Sequence, residues 1–451
     1  MLIHFLKKTL FASLFFLSAL FVFASENMAY VSPYPQDVTK RSLSSLAEIS
    51  VLTFDSGKEI YRRFGHSAIR VSDPVKNIDK LFSFGVIKNI DSPAVFFRSL
   101  FAHPESVAGA VRFPDAMEYD RQTQNRDCIE QKLNISHEDK EKIYSYLLWK
   151  TEEQNRLEKY DATKNNCATG VRDVLKLVWA IGIAENHFLR TSAAPLTSRK
   201  QILSRLEKNE WEKLSAALLI GTAGDRAVDI LDMTFFPEVL RVVLSVSKTK
   251  NASAIVPFVK STEVIAESSS EIIKAESAKK KCTLPFLPVS PKTIFFFAFV
   301  SVSFFTALQV AFLFAAKKIR QRHLFELTRV IDNLMFSFDI LFFFLTGLIG
   351  AFILVLTIKE RSGIFGGNLN FLWLLPTNII AAFFCTTEKR SKIITAYFLS
   401  CAYISVFVLV FREKLPQTID SAFSPIIVTT IVRSTYLALS REAKAMLQAR
   451  S

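Results

Sequence analysis

The sequence predicts an exported α+β domain followed by an all-α polytopic membrane domain. Half of the 451 residues are hydrophobic and 42 of them are Phe, which is too apolar for one soluble domain. The middle of the chain is nevertheless polar, with short alternating segments and amphipathic stretches, whereas long apolar runs dominate from residue 291 onward. These three observations indicate two different environments within one chain.

The N-terminal segment has the pattern of a secretory signal. Lys7 and Lys8 precede an apolar run over residues 9–23, and small side chains near Ala24 form a cleavage pattern. We predict a signal peptide at residues 1–24; an uncleaved signal anchor is the alternative, and it leaves the next domain on the same side of the membrane.

The exported domain is predicted to span residues 25–246. Four short, partly alternating segments are predicted as strands: residues 48–54, 66–72, 80–86 and 128–135. Ser136 is predicted to cap a helix, because Asp139 follows at capping-box spacing and an apolar stripe comes after it. A second helix is predicted from about Cys167 to Ala180.

The composition changes twice beyond this domain. Residues 247–290 are rich in Ser, Ala, Glu and Lys and are predicted to form a linker or a small extended unit. Residues 291–451 are predicted to form a membrane domain of about five helices, each near the ~20 residues that a bilayer requires. The predicted spans lie near residues 293–316, 333–358, 369–386, 393–411 and 423–440.

Charge sets the predicted orientation. The segments 317–323, 388–392 and 441–450 are basic and are expected to be cytoplasmic, which places the C-terminus in the cytoplasm and the exported domain in the periplasm of a bacterial inner membrane. Much of the net charge of +14 lies beside the spans, so no nucleic-acid partner is expected. Asp339 and Arg433 lie inside predicted spans, at similar depth, and are expected to form a structural ion pair.

The positions of the five cysteines indicate which of them could be a reactive thiol. Cys385 and Cys401 fall in apolar spans, and a disulfide between Cys128 and Cys282 would leave Cys167 as the odd free thiol. The sequence has neither the Cys/His spacing of a metal site nor a glycine-rich phosphate loop, so no metal or other cofactor is expected.

Cys167 is the candidate nucleophile. It follows Asn166, a good N-cap residue, so the thiol lies in the first helical turn, where the helix dipole favours a thiolate. The competing interpretation is a small buried hydrophobic residue.

His66 is the candidate base, on one strand face with Ala68 and Arg70. A histidine in such a place is often only structural, but a base that takes the thiol proton yields the activated nucleophile of papain-like chemistry. Three residues are candidates for orienting the imidazole or supporting an oxyanion: Ser83, Tyr160 and Asn166.

Several motifs resemble the Lnb family of bacterial lipoprotein N-acyltransferases, which have a periplasmic N-terminal domain and a C-terminal membrane domain. They are FGHSAIRV around His66, the EEQNR…YD…NNCAT…RD block at 152–173, LLIGTAGDRAVDILDMTFFP, and GNLNFLWLLPTN. The resemblance implies His66 as base and Cys167 as nucleophile. It also implies a permuted papain-like fold, with histidine before cysteine. Gly170 departs from the bulkier or basic residue expected there.

The resemblance implies a membrane phospholipid as acyl donor and a diacylated lipoprotein as acceptor. An exported enzyme without a nucleotide site needs a bond that is already activated, and a phospholipid ester is one. The alternatives are a cysteine peptidase or amidase acting on cell-wall peptides and a non-enzymatic membrane scaffold.

Overall fold

The computed structural model describes residues 38–57, 62–87, 104–178, 196–207, 209–251, 254–268, 289–315, 322–359, 363–385 and 391–448. The predicted signal peptide and Cys282 lie outside these ranges. The chain forms two compact units. The sheet unit comprises Met28–Arg205 and Ala227–Lys281, and the helical unit comprises Leu206–Arg226 and Cys282–Ser451.

A seven-stranded antiparallel sheet organises the sheet unit. Its strands are β1 (Glu48–Phe54), β2 (His66–Asp73), β3 (Ile78–Ile87), β4 (Glu105–Arg112), β5 (Cys128–Leu133), β6 (Leu157–Lys159) and β9 (Val259–Ala266), in the order β6-β4-β3-β2-β1-β5-β9. A separate hairpin is formed by β7 (Lys248–Asn251) and β8 (Ala254–Pro257). The four predicted strands are confirmed, each within two residues of its predicted ends.

Helices surround this sheet. They are α1 (Phe113–Thr123), α2 (His137–Thr151), α3 (Cys167–Leu175), α4 (Ser198–Arg205) and α6 (Pro237–Val246). The predicted cap of α2 is confirmed, since the Ser136 side chain accepts a hydrogen bond from the Asp139 backbone N–H at 3.1 Å. The described part of the helix that begins at Cys167 ends at Leu175 rather than at Ala180.

The two faces of the sheet bury different side chains. Ile69 and Phe82 belong to the larger core, which also includes Val171 of α3. Ala68 and Leu81, the alternate residues on the same strands, belong to a smaller core beside α1. Both faces are therefore covered, which explains why β1 is buried at almost every position.

Residues 247–268 contribute three strands to the sheet unit. After the β7–β8 hairpin, β9 pairs antiparallel with β5 and becomes an edge strand of the main sheet. Pairing with β9 satisfies backbone groups that β5 would otherwise expose. The sequence predicted a linker or a small extended unit here without placing a strand in the main sheet, because the low hydrophobicity of β9 reflects an edge position, where side chains stay partly or fully exposed.

The helical unit contains α5 (Glu210–Leu219), α7 (Pro291–Ala315), α8 (Arg322–Lys359), α9 (Asn378–Ala382), α10 (Lys392–Phe411) and α11 (Ser424–Gln448). Among the described residues, four helices are long and apolar enough to cross a membrane: α7, α8, α10 and the first part of α11. The described part of the third predicted span, 369–386, is not one continuous helix.

That span is instead a broken segment. A 3-10 turn at Leu369–Leu372 is followed by turns around Pro376 and then by the short helix α9. The segment packs closely on α8: a Cβ on Gly350 would lie 1.5 Å from the Leu374 carbonyl oxygen, and one on Gly347 would lie 2.4 Å from the Ile379 nitrogen. Irregular backbone is tolerated at membrane depth when protein covers it in this way.

The helix α5 and the turn after it pack within the helical unit, although their sequence interrupts that of the sheet unit. Asn368 Nδ2 donates to the carbonyls of Leu218 and Leu219, both at 2.8 Å, and Gln417 Nε2 donates to Ile220 O at 3.2 Å. These amides satisfy carbonyls that the end of a helix leaves unpaired. The predicted domain of residues 25–246 is thus divided between the two units.

The intramembrane ion pair is confirmed. Arg433 donates from Nε to Asp339 Oδ1 at 2.7 Å and from Nη2 to Oδ2 at 2.6 Å, and neither side chain is exposed. Its Nη1 donates to Thr306 Oγ1 and Gln309 Oε1, both at 2.8 Å. The guanidinium therefore joins α7, α8 and α11.

Candidate active site

Cys167 is the first residue of α3, and its position is set by an elaborate cap. Asn166 Oδ1 accepts from the backbone N–H groups of Ala168 and Thr169, both at 2.9 Å. The Asn166 backbone N–H donates in turn to Thr169 Oγ1 at 2.7 Å, which completes a capping box. The helix start that carries the thiol is thereby fixed.

His66 is the first residue of β2. Its Nε2 lies 3.2 Å from Ser83 Oγ on the neighbouring strand β3, and its ring centroid lies 6.1 Å from that of Phe54 on β1. Gly65, with φ +80°, makes the sharp entry into the strand. A side chain at Gly65 would collide with the Phe54 carbonyl oxygen. The imidazole is thus held between side chains of the two flanking strands.

The thiol lies where β2 and β3 separate. Their pairing stops at Ala68 and Ser83, and the register of β3 shifts just beyond Ser83. Gly85 adopts φ +65° there, and a Cβ on it would come within 3.0 Å of the Cys167 nitrogen. The Ser67 backbone N–H, next to His66, acts to lower the pKa of the Cys167 thiol. The bulge therefore makes room for the start of α3.

His66 and α3 belong to different layers of the sheet unit. Ala68 and Phe54, which share the imidazole's face, belong to the core beside α1, whereas α3 packs on the opposite core. The two residues are connected through β3: Ser83 contacts the imidazole, and Gly85 lies against the start of α3. Both side chains keep part of their surface exposed.

The electrostatics favour a neutral pair at rest. Desolvation, followed by the positive charges of Arg126 and Arg62, lowers the pKa of His66 to about 3. Desolvation raises the pKa of the Cys167 thiol, and hydrogen bonds from Ser67 and Ala168 offset only part of that rise. Loss of hydration therefore acts against the helix start and the backbone amides, which favour the thiolate.

The three supporting candidates have different surroundings. Ser83 contacts the imidazole directly. Desolvation, together with the negative charges of an ionised Cys167 and Asp161, raises the pKa of Tyr160, which places its phenol in the electrostatic neighbourhood of the sulfur. The side-chain amide of Asn166 donates both of its hydrogens to backbone carbonyls, to Ala162 O at 2.8 Å and to Phe235 O at 2.9 Å. Asn166 therefore stabilises the loop and the start of the helix.

Sequence reasoning missed three residues of this site. Ser67 supplies its backbone N–H, Gly85 supplies the positive φ at the bulge, and Arg126 supplies a nearby positive charge. Only Gly85, a glycine late in a predicted strand, carried a signal in the sequence. Gly170 is also explained, since a Cβ there would lie 2.5 Å from the Phe84 ring.

The side chains that could bind a metal ion are not clustered in the described residues. Within the described part of the chain, no group of three or more His, Cys, Asp or Glu side chains is placed to hold a metal ion. Cys128 is a free thiol buried on β5, and its proposed partner Cys282 lies outside the described ranges.

Comparison with known proteins gives two family matches. Residues 35–205 match the model of the Lnb N-terminal periplasmic domain, and residues 289–444 match the model of the Lnb transmembrane domain. No curated protein and no solved structure matches the chain. The two matched regions contain the candidate active site and the four long apolar helices, respectively.

Proposed function

This chain belongs to the Lnb family, and from that membership and the geometry around Cys167 we propose that it is a lipoprotein N-acyltransferase. In this proposal it moves an acyl chain from a membrane phospholipid, through a thioester on Cys167, to the N-terminal amine of a diacylglyceryl-cysteine lipoprotein. The observation that carries the proposal is a free, partly exposed thiol at a capped helix start, beside Gly85 of β3, the strand whose Ser83 contacts His66.

The first half-reaction forms the thioester. His66 takes the thiol proton as the Cys167 sulfur attacks the ester carbonyl of the phospholipid. The carbon–oxygen bond then breaks, and the leaving lysophospholipid oxygen takes the proton from the imidazolium. Coupling proton transfer to attack suits a pair that is neutral at rest, because no separated charge persists between turnovers.

The second half-reaction forms the amide. The lipoprotein's α-amine attacks the thioester carbonyl and gives a proton to His66, the carbon–sulfur bond breaks, and the sulfur recovers its proton. No external energy source is needed, since an amide is more stable than the ester consumed. We assign Ser83 to orienting the imidazole and Tyr160 to the surroundings of the sulfur.

The membrane domain fits these substrates. Both are anchored in the bilayer, and the catalytic and membrane parts are covalently joined in one inner-membrane protein with a periplasmic domain. Asn368, before the broken segment, lies beside Gln417 beyond the end of α10, whereas Asn378 within it contacts Tyr397 near the start of α10. We infer that the segment is a fifth crossing, which places the C-terminus in the cytoplasm.

The test is acyl labelling of the purified full-length protein in vesicles containing phospholipid with a radiolabelled acyl chain. We expect a hydroxylamine-sensitive label on the wild type, none on Cys167→Ala, and its discharge when a diacylated lipopeptide is added. Cys128→Ala is the matched control, because that thiol is buried on β5. Peptidoglycan cleavage without lipid labelling would instead indicate the hydrolase, and absence of both activities would indicate a scaffold.

A further inference from the structure

The sheet face that carries His66 is open beside the imidazole. Ser83, whose hydroxyl contacts the imidazole, pairs with Gly109 of β4. Paired residues of an antiparallel sheet lie on the same face, so Gly109 lies on the imidazole's face, about 5 Å from Ser83. Among the described residues, no atom lies within 4 Å of a Cβ built on Gly109. The space above Gly109 is therefore next to the candidate base.

Three aliphatic side chains extend this space to the edge of the sheet. Val107 lies two residues before Gly109 and so shares its face. It pairs with Val86 of β3 on one side and with Leu157 of the edge strand β6 on the other. Val86 is 42% exposed, Leu157 is 56% exposed, and Val107 is partly exposed. These three side chains and Gly109 form an apolar platform.

The exposure of the platform is local. On the opposite face of β4, Ser106 and Ala108 are 0% and 1% exposed, and Ala108 belongs to the larger core. On the imidazole's own face, Leu81 is buried beside α1. Aliphatic side chains left in contact with water on one part of one face are typical of a binding surface.

The platform also borders the residue that carries the thiol. Val86 directly follows Gly85, and a Cβ on Gly85 would lie 3.0 Å from the Cys167 nitrogen. At the other end, Glu105 of β4 pairs with Lys159 of β6, and both are exposed. The apolar surface thus begins beside the candidate active site and ends at charged residues.

We propose that the apolar platform binds the acyl chain of the phospholipid donor. The inference rests on the proposed function, in which the donor's ester reaches the Cys167 sulfur with a long apolar chain attached. The platform is two strand spacings wide, roughly 10 Å, which suits a single chain and is too small for a stable protein interface. Methylene groups gain by leaving water and need no hydrogen bonds, so aliphatic side chains are their natural neighbours.

The experiment measures the initial rate of acyl labelling of Cys167 in the full-length protein. The donors are phosphatidylcholines with palmitoyl or butyryl chains, each used below saturation. We expect Leu157→Glu to lower the rate from the palmitoyl donor about tenfold, the effect of losing the burial of one aliphatic side chain. The rate from the butyryl donor should stay at the wild-type level, because a short chain does not reach β6. Leu157→Met, which keeps an apolar side chain, should label like the wild type from both donors.

Val264→Glu is the matched control. Val264 is 57% exposed on β9, at the opposite edge of the sheet, so the same added charge should leave both rates unchanged. An unchanged palmitoyl rate in Leu157→Glu, or an equal fall for both donors, overturns the inference and leaves the proposed function standing. A wild type that labels from neither donor overturns the proposed function, and the inference with it.

Photocrosslinking identifies the occupant of the platform. The probe is a phosphatidylcholine with a diazirine in the middle of its acyl chain, and mass spectrometry locates the crosslinked peptides. We expect crosslinks in β4 and β6 of the wild type and fewer in Leu157→Glu. Crosslinks confined to other segments are the result expected if residues 88–103 or a second copy of this chain covers the platform, and they overturn the inference.

Discussion

Removing either member of the intramembrane ion pair should strongly destabilise the helical unit. In Arg433→Leu, the Asp339 carboxylate loses two hydrogen bonds of 2.7 and 2.6 Å and stays buried at 0% exposure without a counter-charge. Thr306 and Gln309 lose their bonds to the guanidinium as well. Breaking a buried pair from one side costs about 3–5 kcal/mol.

The double variant Asp339→Leu with Arg433→Leu should be less damaging than the sum of the two single changes, because it removes both desolvated charges together. For a unit of this size, the single changes correspond to a fall in Tm of roughly 10 °C. The helices joined by the pair are α7, α8 and α11, so the loss should unfold the unit cooperatively rather than fray one end.

Heating in the presence of a thiol-reactive maleimide dye measures this directly. Cys385 and Cys401 are buried in the helical unit at 2% and 1% exposure, and they report its unfolding in a background that lacks the other three cysteines. Two outcomes would contradict a stabilising role for the ion pair. One is a Tm of the single variants equal to that of the parent protein. The other is a loss of stability in the double variant as large as the sum of the losses in the two single variants.

Three further outcomes are expected. Alkylation of wild-type Cys167 should be slow at pH 7, and the midpoint of its rate profile should lie above the ordinary thiol pKa of 9.0, because burial raises the pKa of this thiol; a plateau reached near neutrality would contradict that direction. Gln417→Leu should lower the stability of the helical unit by about 1–3 kcal/mol, measured with the same dye, since it strips partners from Ile220 O and the Leu369 N–H. Gly350→Ala should reduce the yield of folded protein, because its Cβ would lie 1.5 Å from the Leu374 carbonyl oxygen. Gly109→Ala, with nothing within 4 Å, should not.

Local patterns predicted the local structure well. The strand containing EISVLTF is observed with the predicted ends, and Ser136 and Asn166 both cap helices. These features depend on side chains a few residues apart, so the information is contiguous in the sequence. Asp339 and Arg433 were also paired correctly, since a charge inside a bilayer must find a partner and few were available.

The errors arose where distant segments decide the outcome. The third predicted span is apolar enough for a helix, yet Pro376 and close packing on Gly347 and Gly350 break it. β9 looked like linker because its pairing partner, β5, is more than a hundred residues earlier. The sequence also could not show that desolvation raises the pKa of Cys167, because desolvation depends on everything that surrounds the sulfur.

By itself, the sequence determined which segments are strands and helices, where helices begin, and that a thiol and an imidazole belong to one exported domain joined to membrane spans. Only the tertiary structure decided that a bulge in β3 admits the start of α3 and that the Arg126 guanidinium lies over the Phe54 ring. The reason is that caps and periodicity are properties of neighbouring residues. Burial, charge proximity and strand register instead exist only once remote segments have packed together.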